Sequence, residues 1–200
     1  MKRRWLTIFA LVFTWSAIRP FDTFTWFLEV SPAIIALLVL LATRKTFPLT
    51  GLVYTLILVH CVILMVGGHY TYAEVPLFDW IRDAFGLARN NYDKLGHFAQ
   101  GLIPAMVARE ILLRKDVING RAWLNFLVVC FCLAVSAFYE LVEWAVAEIV
   151  GGPAEAFLGT QGYIWDTQSD MAFAMTGAIV ALLLLGKLHD RQLEENGFLP

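Results

Sequence analysis

Apolar residues dominate the chain in six stretches separated by short polar connections: Trp5–Ile18, Phe24–Ala42, Phe47–Gly67, Tyr92–Leu113, Trp123–Val150 and Thr167–Lys187. Runs of this kind predict transmembrane helices, so the expected fold is an all-α, polytopic bundle of about six spans over residues 1–187. Residues 188–200 read as a short cytoplasmic polar tail. The first stretch is the shortest, and its fourteen residues reach about 21 Å against a hydrocarbon core of about 30 Å. A basic start before an apolar run also fits a signal peptide, yet Trp15-Ser16-Ala17-Ile18-Arg19-Pro20 offers no small-x-small cleavage site. An uncleaved span is expected.

Composition agrees with this pattern. Of 200 residues 59% are hydrophobic and 16% charged, and the mean hydropathy of +0.66 excludes an ordinary soluble domain. The net charge of -2 leaves no basic footprint for nucleic acid. Eleven Lys and Arg residues fall on the side of the predicted spans that holds both termini, and four (Arg19, Arg82, Arg89, Lys94) on the other. Short cytoplasmic loops retain positive charge, which predicts six crossings with both termini in the cytoplasm. Cys61, Cys130 and Cys132 lie within spans and imply no disulfide framework.

Ionisable groups inside a bilayer are costly, and here they gather at one level. Asp93 and His97 share a helix face at the outer start of the fourth stretch, as do Asp166 and Asp170 at the start of the sixth. Glu140 lies seventeen residues beyond Trp123, about 26 Å along its helix and in its outer third, with Glu143 on the same face. The mixed O and N donors of Asp93, His97, Asp166 and Asp170 are candidate ligands for a divalent metal such as zinc, manganese or iron. Glu140 and Glu143 are candidate catalytic carboxylates. Asp93 and Asp166 also suit helix starts, where an acid complements the macrodipole, and Thr167 reads as a cap. Lys94 either balances Asp93 or meets a lipid phosphate. His60 reads as a buried hydrogen-bonding residue, Glu110 and Arg114 as a surface pair, and His189 as part of the solvated tail.

Two external connections are rich in glycine and aromatics: Gly67-Gly68-His69-Tyr70-Thr71-Tyr72 and Gly159-Thr160-Gln161-Gly162-Tyr163-Ile164-Trp165-Asp166. Glycine permits turns closed to other residues, and amphipathic rings can line a pocket with one wet end. His69, Tyr72, Gln161 and Trp165 are therefore added as candidates at the mouth of a cavity.

Four segments carry a resemblance: GGHYTYAEVP (67–76), NNYDKLGHFAQG (90–101), YELVEW (139–144) and GTQGYIWDTQSDM (159–171). Through them nearly the whole chain resembles the YjdF-type family of bacterial inner-membrane proteins of unknown function. Asp93-Lys94-x-x-His97, Glu140-x-x-Glu143 and the acidic last span ending in Gly177 more distantly resemble VanZ-like membrane proteins, where an asparagine commonly stands at the position of Ala174. The resemblance implies a multi-pass inner-membrane protein and leaves its activity open.

Three functions fit these residues. The first is a metal-dependent enzyme acting on a lipid or cell-envelope precursor at headgroup depth. The second is a small-molecule or proton-coupled transporter using the same carboxylates, for which a homo-oligomer would supply the symmetry that a chain without internal repeats lacks. The third is a non-catalytic assembly protein. The bilayer is the one partner common to all three.

Overall fold

The structure, a computed structural model, describes residues 3–151 and 155–198, and every element among them is helical. In chain order these are α1 (Arg3–Ala17), α2 (Thr23–Thr43), α3 (Gly51–Tyr70), α4 (Pro76–Phe85), α5 (Tyr92–Arg114), α6 (Arg121–Val150), α7 (Glu155–Leu158) and α8 (Asp166–Glu195). Helices α2, α3, α6 and α8 are long and apolar enough to cross a membrane. The chain thus has the predicted polytopic helical architecture. Apolar side chains such as Ile35, Leu38, Phe138, Leu183 and Leu184 remain exposed on these helices, as expected of surfaces that face lipid.

Helix α5 has the length of a span but not the composition, because it carries Asp93, Lys94, His97, Arg109 and Glu110. All five are buried. It packs against α8, α6 and α3, so its polar residues meet protein instead of lipid. The α5–α8 crossing is close because both helices are small there. A Cβ on Gly101 would fall on the Ala174 carbonyl, and one on Gly177 on the Phe98 carbonyl. Small residues let membrane helices approach until their backbones touch, which replaces the hydrophobic driving force missing in lipid.

Helix α1 is too short to count as a span by length, yet it is tied into the bundle. The Trp5 indole donates to the Tyr54 carbonyl of α3 at 2.7 Å, and Trp26 of α2 donates to the buried Ser16 hydroxyl at 3.2 Å. Trp5, Phe9 and Phe13 stack along its inner side.

Residues 188–195, within the stretch read as a polar tail, form the last turns of α8, which continues unbroken to Glu195. His189 is fully buried, and so is Glu110. Glu110 accepts from the Thr50 amide and hydroxyl, from Arg114 and from His189 Nε2, the last at 3.0 Å. Arg109 Nη1 lies 2.9 Å from His189 Nδ1. A guanidinium cannot accept, so Nδ1 accepts and Nε2–H donates to Glu110, which fixes the tautomer. The expected surface pair and solvated histidine are therefore one interior clamp joining α3, α5 and α8. Sequence spacing found the Glu110–Arg114 pair but could not show that α8 covers it.

Of the cysteines, Cys61 and Cys132 are buried and Cys130 is exposed, all with free thiols.

Candidate functional site

The opposite end of the bundle assembles the sequence candidates. Helices α5 and α8 run parallel, so their N-termini lie together and the first-turn acids Asp93 and Asp166 meet two positive helix ends. Lys94 Nζ sits between the helices, 2.5 Å from Asp170 Oδ1, 2.8 Å from Asp166 Oδ1 and 3.5 Å from Asp93 Oδ2. Arg89 Nη2 is 2.7 Å from Asp166 Oδ1. Asp166 is thus held by two cations.

His97 Nε2 faces carboxylates from three helices: Asp93 Oδ1 at 3.3 Å, Glu140 Oε1 at 3.8 Å and Asp170 Oδ1 at 3.9 Å. Its Nδ1 lies 3.1 Å from Gln100 Oε1. Asp93, His97 and Asp170 each offer a donor atom within 4.8 Å of the others, and all three are buried. Among the described residues, Glu140 Oε1 and Asp93 Oδ2 are buried atoms with no hydrogen-bond partner, although Asp93 Oδ2 has the Lys94 ammonium 3.5 Å away. An unpartnered buried carboxylate oxygen is expensive, so Glu140 Oε1 is the atom that a further cation would satisfy.

Behind this face lies a cavity of about 240 Å³. Asp93, His97, Glu143, Tyr72, Tyr139 and Glu29 line its polar end, and it reaches past Gln100 to His60 and Pro104. Glu29 is the residue that the sequence reading missed. It is 5% exposed, and the Tyr139 hydroxyl donates to its Oε2 at 3.3 Å. An acid two turns into the second apolar stretch was a usable signal, but α2 lies far from the other motifs in sequence. His60 lines the cavity wall.

Tyr72 earns its place through backbone geometry. Thr71 and Tyr72 both have positive φ, at 59° and 49°, and the Tyr72 amide donates to the Gly67 carbonyl at 2.9 Å. This turns the ring between α3 and α5. A Cβ on Gly67 would strike it, and one on Gly96 would lie 2.8 Å from its Cε1. Two of the glycine-bearing segments thus form one slot for one tyrosine. Burial pushes the Tyr72 phenol well above its ordinary range, with the Glu29 carboxylate adding to the shift.

The other candidates fall elsewhere. Gln161 exchanges hydrogen bonds with the Asn90 backbone, accepting at 3.1 Å and donating at 2.8 Å. Asn90 in turn donates to the Val75 carbonyl and Asp79, so Gln161 fixes the loops over the site without entering it. His69 Nδ1 lies 3.0 Å from the Ser16 carbonyl and its ring packs on Trp15 and Tyr70. Trp165 is exposed. Neither lines the cavity.

Comparison with known proteins follows the same segments. Residues 1–191 match the family described as Predicted membrane protein (DUF2238). The chain belongs to this family. It is 52% identical over 189 residues to the inner membrane protein YjdF of Escherichia coli (strain K12), an alignment covering 94% of this chain and 90% of that protein. No solved structure matches. The family establishes a membrane protein and assigns no reaction, and the comparisons do not show the resemblance to VanZ-like proteins.

Proposed function

We propose that the protein is a metal-dependent enzyme of the inner membrane that acts on an amphiphilic lipid or envelope precursor. One observation carries the reading: three carboxylate oxygens from α5, α6 and α8 surround His97 Nε2 within 4 Å, and the Glu140 oxygen among them has no other partner. One imidazole nitrogen with carboxylate oxygens suits zinc, manganese or iron. Asp93, His97, Glu140 and Asp170 would hold the ion, Asp170 while also paired with Lys94, whereas Asp166 is taken up by Lys94 and Arg89 together. Bound there, the metal would supply Lewis acidity at the cavity wall. Glu143 would then serve as the base, since it lines the cavity beside Asp93 and His97.

Six crossings with both termini inside fit this reading. They would put the cluster at the periplasmic headgroup level, where water and lipid bonds meet, and the eleven-to-four distribution of basic residues supports that orientation. The inner-membrane name of the Escherichia coli relative supports the same location.

Elemental analysis of protein purified in mild detergent tests the reading. Near-stoichiometric metal in the wild type, lost in a His97→Ala, Glu140→Ala double variant that remains monodisperse, is the expected result. Well-folded protein that neither retains nor rebinds metal sinks it.

A proton-coupled carrier is the second reading, favoured by Pro32 inside α2 and Pro104 inside α5, each of which removes a backbone hydrogen bond from a continuous helix along one cavity wall. Proton flux in proteoliposomes that disappears with Glu143→Gln would select it.

A further inference from the structure

A second concavity lies on the other side of Lys94. It is a cleft of about 710 Å³ between α4, α5, the 159–165 loop and α8. Its walls are apolar: Phe78, Leu87, Leu95, Phe98 and Phe173. One end is polar and consists of donors. Arg89 stands over the Tyr163 ring at 4.7 Å, and Lys94 lies 5.8 Å from the same ring. Arg89 Nη2 is paired with Asp166 at 2.7 Å without an aligned hydrogen bond, and among the described residues the Ser169 hydroxyl on the cleft wall is buried without a partner. The hydroxyl can donate and the guanidinium carries further N–H groups, so an acceptor suits this end.

The rim is built for the bilayer surface. Helix α4 exposes Leu77, Trp80 and Phe85, while Asp79 and Arg82 pair on its other side at 2.7 Å. That is the signature of a helix lying in the interface plane. Across the cleft, Ile164 and Trp165 are exposed as well. A slot between two interfacial edges, apolar along its length and donor-rich at headgroup level, matches an acyl chain capped by a phosphate.

We propose that this cleft holds a phospholipid-class amphiphile, its phosphate at Arg89 and Ser169 and its chain along Leu95, Phe98 and Phe173. The proposal names the substrate class of the enzyme reading and rests on it for the link to catalysis. Lipid binding itself stands on residues outside the His97 cluster.

The test is native mass spectrometry of the delipidated full chain, titrated with dioleoylphosphatidylglycerol, with dioleoylglycerol, which lacks the phosphate, and with inorganic phosphate. The phospholipid is expected to bind at least about tenfold more tightly than dioleoylglycerol, with Arg89→Gln removing about fivefold and Leu95→Trp about tenfold or more. Leu87→Trp, on the exposed rim, decides the matter if Leu95→Trp does not fold, and is expected to weaken binding in the same direction. Equal binding of dioleoylglycerol, displacement by inorganic phosphate, or undiminished binding in folded cleft variants overturns the proposal. His97→Ala should leave phospholipid binding unchanged. Wild type that neither retains nor rebinds metal yet binds phospholipid defeats the enzyme reading while the cleft survives.

Discussion

Lys94 Nζ and Asp170 Oδ1 meet at 2.5 Å between α5 and α8, with both side chains under one-tenth exposed. The same ammonium serves Asp166 and approaches Asp93, so a single lysine neutralises acids from two parallel helices. Removing one member of a buried ion pair strands the rest, and Lys94→Met should destabilise the protein by about 3–5 kcal/mol. Adding Asp170→Asn to Lys94→Met should recover part of that loss. Thermal unfolding in detergent measures both, and a double variant no better than the single one would show that Lys94 does not act through Asp170.

On the proposed metal reading, retention of the ion should separate the acids. Asp93→Asn and Glu140→Gln should lower metal affinity far more than Asp166→Asn, which perturbs a neighbour of the site and should cost about tenfold to a hundredfold at most. Rebinding titrations after chelation give the ranking. Asp166→Asn as damaging as Glu140→Gln would return Asp166 to the ligand set.

The α5–α8 contact predicts a contrast between glycines. Gly101→Val drives a side chain into the Ala174 backbone and should cost about 3 kcal/mol or more, at or beyond the usual range for overpacking. Gly186 also lies in α8 but has nothing within 4 Å of its hypothetical Cβ. Gly186→Ala should be neutral or stabilise by up to about 1 kcal/mol through helix propensity. Equal unfolding temperatures for the two variants would contradict the crossing.

At the far end, His189→Phe leaves Glu110 and Arg109 buried without a shared partner. A loss of about 3 kcal/mol is expected, with metal content unchanged, because the clamp and the His97 cluster occupy opposite ends of α5. Unfolding curves and elemental analysis on the same samples check it. Loss of metal from folded His189→Phe would reveal coupling between the two ends.

Orientation is testable with cysteines. In a background with Cys61, Cys130 and Cys132 replaced, Ala84→Cys on exposed α4 should react with an impermeant maleimide in spheroplasts, and Glu194→Cys near the end of α8 only after lysis. The reverse pattern would invert the topology.

Sequence alone marked the long helices, because a bilayer demands long apolar runs whose backbone groups pair internally and such runs are visible residue by residue, but it left the short α4 and α7 inside connections. It also placed Asp93, His97, Glu140, Glu143 and Asp170 at one depth, since rise per residue converts position into height. Height is not azimuth. Only packing decided that Lys94 and Arg89 hold Asp166, that Glu140 and Asp170 turn toward His97, and that Glu29 joins from α2. The same limit hid the Glu110–His189 clamp: α8 covers a face of α5 that spacing alone leaves open to water. Which side of a helix meets protein, and which meets lipid, is set by neighbours such as Gly101 and Ala174 touching across a crossing, a long-range fact that no local pattern encodes.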